Sequence, residues 1–100
     1  MDNSYTVAEI KRLIRPVAER YGVERVFLFG SYARGEAAPN SDIDLRIDGG
    51  AIQDYFELSG FHQELEEALS ASVDVLTTGS LEDKFLTRIS KEEVILYEQP

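Results

Sequence analysis

Apolar and polar positions follow two different periods along this chain, and the changes of period mark out the elements. Val7, Ile10, Leu13, Ile14, Val17 and Tyr21 fall at helical spacing and give one apolar stripe. Thr6-Val7-Ala8-Glu9 has the capping-box pattern, in which the Thr hydroxyl and the Glu carboxylate satisfy free backbone N–H groups, so the helix is expected to start at Thr6. Gly22 is its natural stop. Pro16 removes one helical hydrogen bond and predicts a kink or a division of this helix. Glu24 to Phe29 then reads as a buried strand, since Val26 to Phe29 is a run of four apolar residues rich in Val and Phe. Tyr32 to Asn40 carries Gly, Ala, Pro and Asn, and predicts a short helical turn followed by a loop.

From Ser41 to Asp48 the period changes to two: Ile43, Leu45 and Ile47 alternate with Asp42, Asp44, Arg46 and Asp48, up to Gly49-Gly50. Helical spacing returns over Asp54 to Ser70, with Tyr55, Leu58, Phe61, Leu65 and Leu69 as the buried stripe and Glu64, Glu66 and Glu67 on the wet face. Gly60 weakens that helix by about 1 kcal/mol relative to Ala. Val73 to Leu76 predicts a third strand, Leu81 to Ile89 a third helix, and Glu93 to Tyr97 a last strand, with a helical end as the alternative. This alternation argues for α/β or α+β packing, with helices covering a small sheet.

Composition narrows the reading. A chain of 100 residues is expected to form one domain, residues 1–100, with a modest core and little room for a second lobe. No run approaches the ~20 apolar residues of a membrane-spanning helix, and Met1-Asp2-Asn3-Ser4 lacks the basic and apolar regions of a signal peptide. There is no cysteine, so disulfides and thiolate metal sites are excluded. A cytoplasmic location fits these features. The formal net charge of -9 disfavours phosphate backbones and argues against direct nucleic-acid binding. It favours a basic protein partner, while a nucleotide can still enter as its Mg²⁺ complex because the metal offsets charge locally.

The candidate chemistry lies between Gly30 and Leu45. Residues two apart on a strand point to the same face, so Asp42 and Asp44 are expected to project together while Ile43 and Leu45 enter the core. Two carboxylates so placed suit one or two hard divalent cations such as Mg²⁺. Asp74, between Val73 and Val75, is the acidic residue set inside the third strand and the candidate for a third ligand. Gly30 allows a sharp turn and close approach to a ligand. The Ser31 hydroxyl and the following N–H groups can donate to a phosphate. A phosphate cradle facing an acidic metal site is what phosphoryl transfer requires. Asp-x-Asp alone says little: with seven Asp in the chain, chance supplies roughly half an occurrence. The joint pattern of strand, Gly-Ser, Asp-x-Asp and a third strand Asp is far rarer.

Gly30-Ser31, a ten-residue gap and Asp42-x-Asp44 resemble the signature of the DNA polymerase β-like nucleotidyltransferase superfamily. The run Phe29-Gly-Ser-Tyr-Ala-Arg-Gly through Ser41-Asp-Ile-Asp-Leu is similar to its small members, the minimal nucleotidyltransferases (MNT), as is the closing stretch Ile89 to Glu98. The resemblance implies a small mixed β-sheet backed by helices, the polymerase β palm-like fold. It implies transfer of a nucleoside monophosphate from a triphosphate, ATP for choice, to a hydroxyl. Asp42, Asp44 and Asp74 would then be the catalytic metal ligands for two Mg²⁺ ions, with Gly30 and Ser31 holding the triphosphate. Many minimal members resemble the antitoxin of HEPN/MNT toxin–antitoxin pairs, which binds a HEPN ribonuclease and adds AMP to one of its tyrosines. A chain this small would take its acceptor surface from such a partner or from another copy in an oligomer.

Other side chains carry less. Arg34 can contact a phosphate or a partner, or pair with Glu36 or the Asp cluster. Tyr32 reads as packing, His62 near Glu66 as a surface residue, and Tyr55, Phe56 and Phe61 as core with part free for an interface. Two other functions compete with the AMP-transferring antitoxin. One is a binding module that neutralises its partner by occlusion with a vestigial site. The other is transfer to a small molecule such as an antibiotic.

Overall fold

A computed structural model of the chain describes residues 5–100; residues 1–4, the segment without signal-peptide features, lie outside the described part. Helix α1 spans Val7–Tyr21 and is capped as its sequence requires. Thr6 Oγ1 accepts from Glu9 N at 3.1 Å, and the Glu9 carboxylate accepts from Thr6 N at 2.9 Å. Gly22 ends the helix in the left-handed conformation. Contrary to the expected division, α1 runs unbroken through Pro16. Pro16 and Arg12 are both exposed, so water can take the carbonyl that the missing N–H leaves over. The buried stripe of Ile10, Ile14, Val17 and Ala18 passes on the other side.

Strand β1 is Arg25–Phe29, α2 is the short helix Gly30–Arg34, and β2 is Ile43–Asp48. Helix α3 (Tyr55–Leu69) is capped by Asp54, whose carboxylate accepts from Glu57 N at 2.8 Å. Strand β3 (Val73–Thr77), a 3₁₀ turn (Thr78–Ser80), α4 (Asp83–Ser90) and β4 (Val94–Glu98) complete the chain. The last segment is therefore a strand, as the first of the two alternatives had it.

The sheet is mixed, in the order β3-β2-β1-β4. β1 lies antiparallel to both β2 and β4, and β2 runs parallel to β3 through the α3 crossover. Period-two burial holds on β2: Ile43, Leu45 and Ile47 are fully buried, and Asp44, Arg46 and Asp48 face the other way. Val26 and Leu28 join the buried set from β1, and α1 and α3 cover it with Ile10, Ile14, Phe61, Leu65 and Leu69. Gly60 has a packing reason to be in α3. A Cβ there would lie 2.9 Å from the Tyr21 hydroxyl, and the Tyr21 ring meets Phe61 edge to face at 5.5 Å. Tyr55 departs from the expected stripe: it is 83% exposed and Phe56 89%. Helix α1, the cover of that stripe, ends at Tyr21, so the first turn of α3 runs on past it. Among the described residues no helix is long and apolar enough to cross a membrane.

Candidate active site

The open face of the sheet, opposite α1 and α3, carries the charged residues. Register fixes the first relationship: on the parallel pair β2–β3, Asp44 stands directly beside Asp74. On its other side Asp44 is the ladder partner of Phe29, the residue before Gly30. Strand β1 therefore delivers Gly30 to the Asp44 carboxylate. Gly30 has φ +75°, and a Cβ built on it would lie 2.1 Å from Asp44 Oδ2. Both the backbone conformation and the close approach demand glycine here. The Gly-Ser pair and the second Asp, far apart in sequence, are one constellation in space.

Asp44 sits in a hostile place for a negative charge. Burial, then the charge of Asp74 and a hydrogen bond to it, then the charge of Asp42, push the Asp44 carboxyl up to about 6; the Arg34 guanidinium offsets only part. Asp42 differs from its expected placement on the strand. It is exposed and precedes β2, whose ladder to the β3 side begins with Ile43 N donating to Ser72 O at 3.0 Å. Among the described residues no three His, Cys, Asp or Glu side chains stand close enough together to hold an ion. The structure thus pairs Asp44 with Asp74 and leaves Asp42 beside them rather than closed upon them. The donor set nonetheless fits a hard divalent cation: oxygen-only, net negative, and short of a local counter-charge.

Beside this pair lies a cavity of about 460 Å³ lined by Phe29, Gly30, Ser31, Arg34, Asp44, Phe85, Arg88, Ile89 and Glu92. Arg34 closes one side. Its Nε donates to Glu36 at 3.0 Å, and one terminal nitrogen donates to both oxygens of Glu92 at 3.2 Å. Of the two roles considered for Arg34, the pairing with Glu36 is present, and the side chain also lines the cavity. Phe85 of α4 packs edge to face on Phe29 at 6.1 Å, and the Arg88 guanidinium lies 5.2 Å from the Phe85 ring centre. Phe85, Arg88 and Glu92 were not singled out by motif. Their only signal in the sequence is membership of a short amphipathic helix and the turn after it. Tyr32 is buried in the core, as expected. His62, half-exposed and 3.7 Å from Glu66, contacts the Val73 carbonyl away from the cavity.

Comparison with known proteins places the chain in a family. Residues 10–97 match the model of the nucleotidyltransferase domain, and the chain belongs to that family, as an enzyme of its minimal, MNT type. It is 42% identical over 88 residues to the Methanocaldococcus jannaschii protein named "Putative protein adenylyltransferase MJ0435", covering 88% of this chain and 95% of that one. Among solved structures it resembles a toxin–antitoxin crystallised with AMP-PNP (TM-score 0.76, 23% identity, 89% of this chain and 73% of that one). It also resembles a chain in the complex of a tri-AMPylated Shewanella oneidensis HEPN toxin with its MNT antitoxin (TM-score 0.71, 19% identity, 94% and 74% covered). These two structural likenesses are of fold. They match the mixed sheet with backing helices expected from the sequence.

Proposed function

We propose that this chain transfers AMP from Mg²⁺-bound ATP to a hydroxyl, a tyrosine of a HEPN-type toxin, and so acts as an antitoxin. The observation that carries the reading is the apposition of Asp44 and Asp74 beneath Gly30. Two carboxylates held side by side next to a glycine-lined cavity suit a cation that would in turn neutralise a phosphate in that cavity. Asp44 and Asp74 would hold Mg²⁺, joined by Asp42 once its exposed side chain turns inward. The cation would supply charge neutralisation and polarisation of phosphate oxygens.

The chain's own groups account for the rest. The Gly30 N–H, the Ser31 hydroxyl and Arg34 bind and orient the triphosphate. The acceptor oxygen forms a bond to the α-phosphorus while the bond from that phosphorus to the α,β-bridging oxygen breaks. Pyrophosphate leaves, and the hydroxyl proton passes to the acidic pair. Relatives named adenylyltransferases and the complex with an AMPylated toxin support AMP as the group and a HEPN protein as the partner. The net charge of -9 supports a protein acceptor over a nucleic acid. A cytoplasmic setting, where ATP is supplied, belongs to the same reading.

The test is transfer of radiolabelled AMP to a co-purified HEPN partner. Asp42→Ala with Asp44→Ala should lower the rate by about 10³-fold or more, and unchanged transfer would sink the enzyme reading. A second reading, neutralisation by occlusion alone, is favoured by one observation: the exposed Tyr55 and Phe56 at the start of α3. It requires the same double variant to bind and inhibit the partner as well as the wild type does.

A further inference from the structure

The donors assigned to the triphosphate already hold an anion of the chain's own. Glu92 lies in the turn between α4 and β4. Its Oε1 accepts from Gly30 N at 3.2 Å, and both its oxygens accept from Arg34 at 3.2 Å. That carboxylate lies within the cavity wall, with Arg88 on the same wall. The turn itself is pinned. Glu92 N and Glu93 N both donate to Ile89 O at 3.0 Å, and the neighbouring Glu93 is clamped by Arg46, whose Nη2 donates to Oε1 at 2.8 Å. The Glu92 side chain is 29% exposed, so it can rotate toward solvent without moving the backbone.

We propose that Glu92 is a specificity-determining residue of the nucleotide pocket, an internal anion that an incoming phosphate must displace from Gly30 and Arg34. This rests on the nucleotide reading given above. A phosphate without a cation meets Asp44 and Asp74 on one side and Glu92 on the other, and merely exchanges one ion pair to Arg34 for another. A cation-bearing triphosphate gains at the acidic pair as well, which offsets the displacement. Glu92 thereby selects the metal complex over metal-free ATP. Removing it frees the donors and takes one negative charge from the wall.

The experiment is calorimetric titration of ATP, and separately of inorganic tripolyphosphate, into the full chain with Mg²⁺ or with EDTA. The proteins are wild type, Glu92→Gln, Glu92→Ala, and Glu92→Ala combined with Arg34→Ala. The thermal midpoint of each is measured alongside to show that it is folded. Both single variants should bind metal-free ATP and tripolyphosphate about tenfold more tightly than the wild type, a difference of ~1.4 kcal/mol. The gain should be smaller with Mg²⁺ and absent in the double variant. Wild type that binds Mg²⁺-ATP while the single variants bind metal-free ligand no better would overturn the proposal alone and leave Glu92 as a strut for Arg34. Absence of binding in every protein and condition would overturn the nucleotide reading and the proposal together.

Discussion

Asp44 and Asp48 lie on the same strand and the same face of the sheet, yet their surroundings are opposite. Asp48 is satisfied: it accepts from Arg25 at 2.9 Å and from the Thr78 hydroxyl at 2.6 Å, with Arg46 3.7 Å away. Arg46 in turn pairs with Glu93 and lies 4.1 Å over the Phe27 ring. Asp44, four positions earlier, faces a second carboxylate and has its affinity for a proton raised. The end of β2 that has its counter-charges is built for stability. On the proposed function, the end that lacks them takes a ligand that brings its own.

Substitutions at the two ends should therefore have opposite signs. The largest stability loss should come from Arg46→Met. It strands Glu93, whose side chain is 7% exposed, and should cost about 3 kcal/mol in denaturant unfolding. A loss under ~1 kcal/mol would mean that this network is not structural. Asp44→Asn should instead stabilise the metal-free protein at pH 7.5. With its folded pKa raised to about 6, above the ordinary carboxylate range, this group's contribution to wild-type stability is fully present below the unfolded pKa and is lost as pH rises from there through 6. The asparagine variant shows no such loss. Thermal midpoints of the two should thus diverge from about pH 4 up to about pH 6 and run in parallel above about pH 7. A difference that stays flat across that range would remove the repulsion between Asp44 and Asp74 from the explanation. The smallest effect should belong to Arg25→Ala. Arg25 is 40% exposed and shares its pairs among Glu24, Asp48 and Glu98, so its denaturant midpoint should stay within error of the wild type's.

The contrast between the two ends of β2 is local in three dimensions but not in sequence, which sets what could be read in advance. The period-two burial of Ile43, Leu45 and Ile47 and the capping box at Thr6 are properties of neighbouring residues, and both were legible. So was the strand placement of Asp74, since one acidic residue inside an apolar strand stands out. Its pairing with Asp44 needed the parallel register. The division expected at Pro16 failed because local chemistry says that a hydrogen bond is lost but not that the lost partner faces water. Tyr55 misled because spacing cannot show where the covering helix stops. Arg34 showed its candidates but not its choice. Glu92 carried no motif at all: it reaches Gly30 from 62 positions away in sequence, through a turn whose position depends on the whole sheet.

The measurement that bears most directly on the site is titration of ATP into the wild type and into Asp42→Ala/Asp44→Ala, with and without Mg²⁺. Binding that needs Mg²⁺ and disappears in the double variant is the expected result. Equal binding by both proteins, or binding indifferent to Mg²⁺, would contradict the assignment of the acidic pair and its neighbour as the metal-bearing half of the nucleotide site.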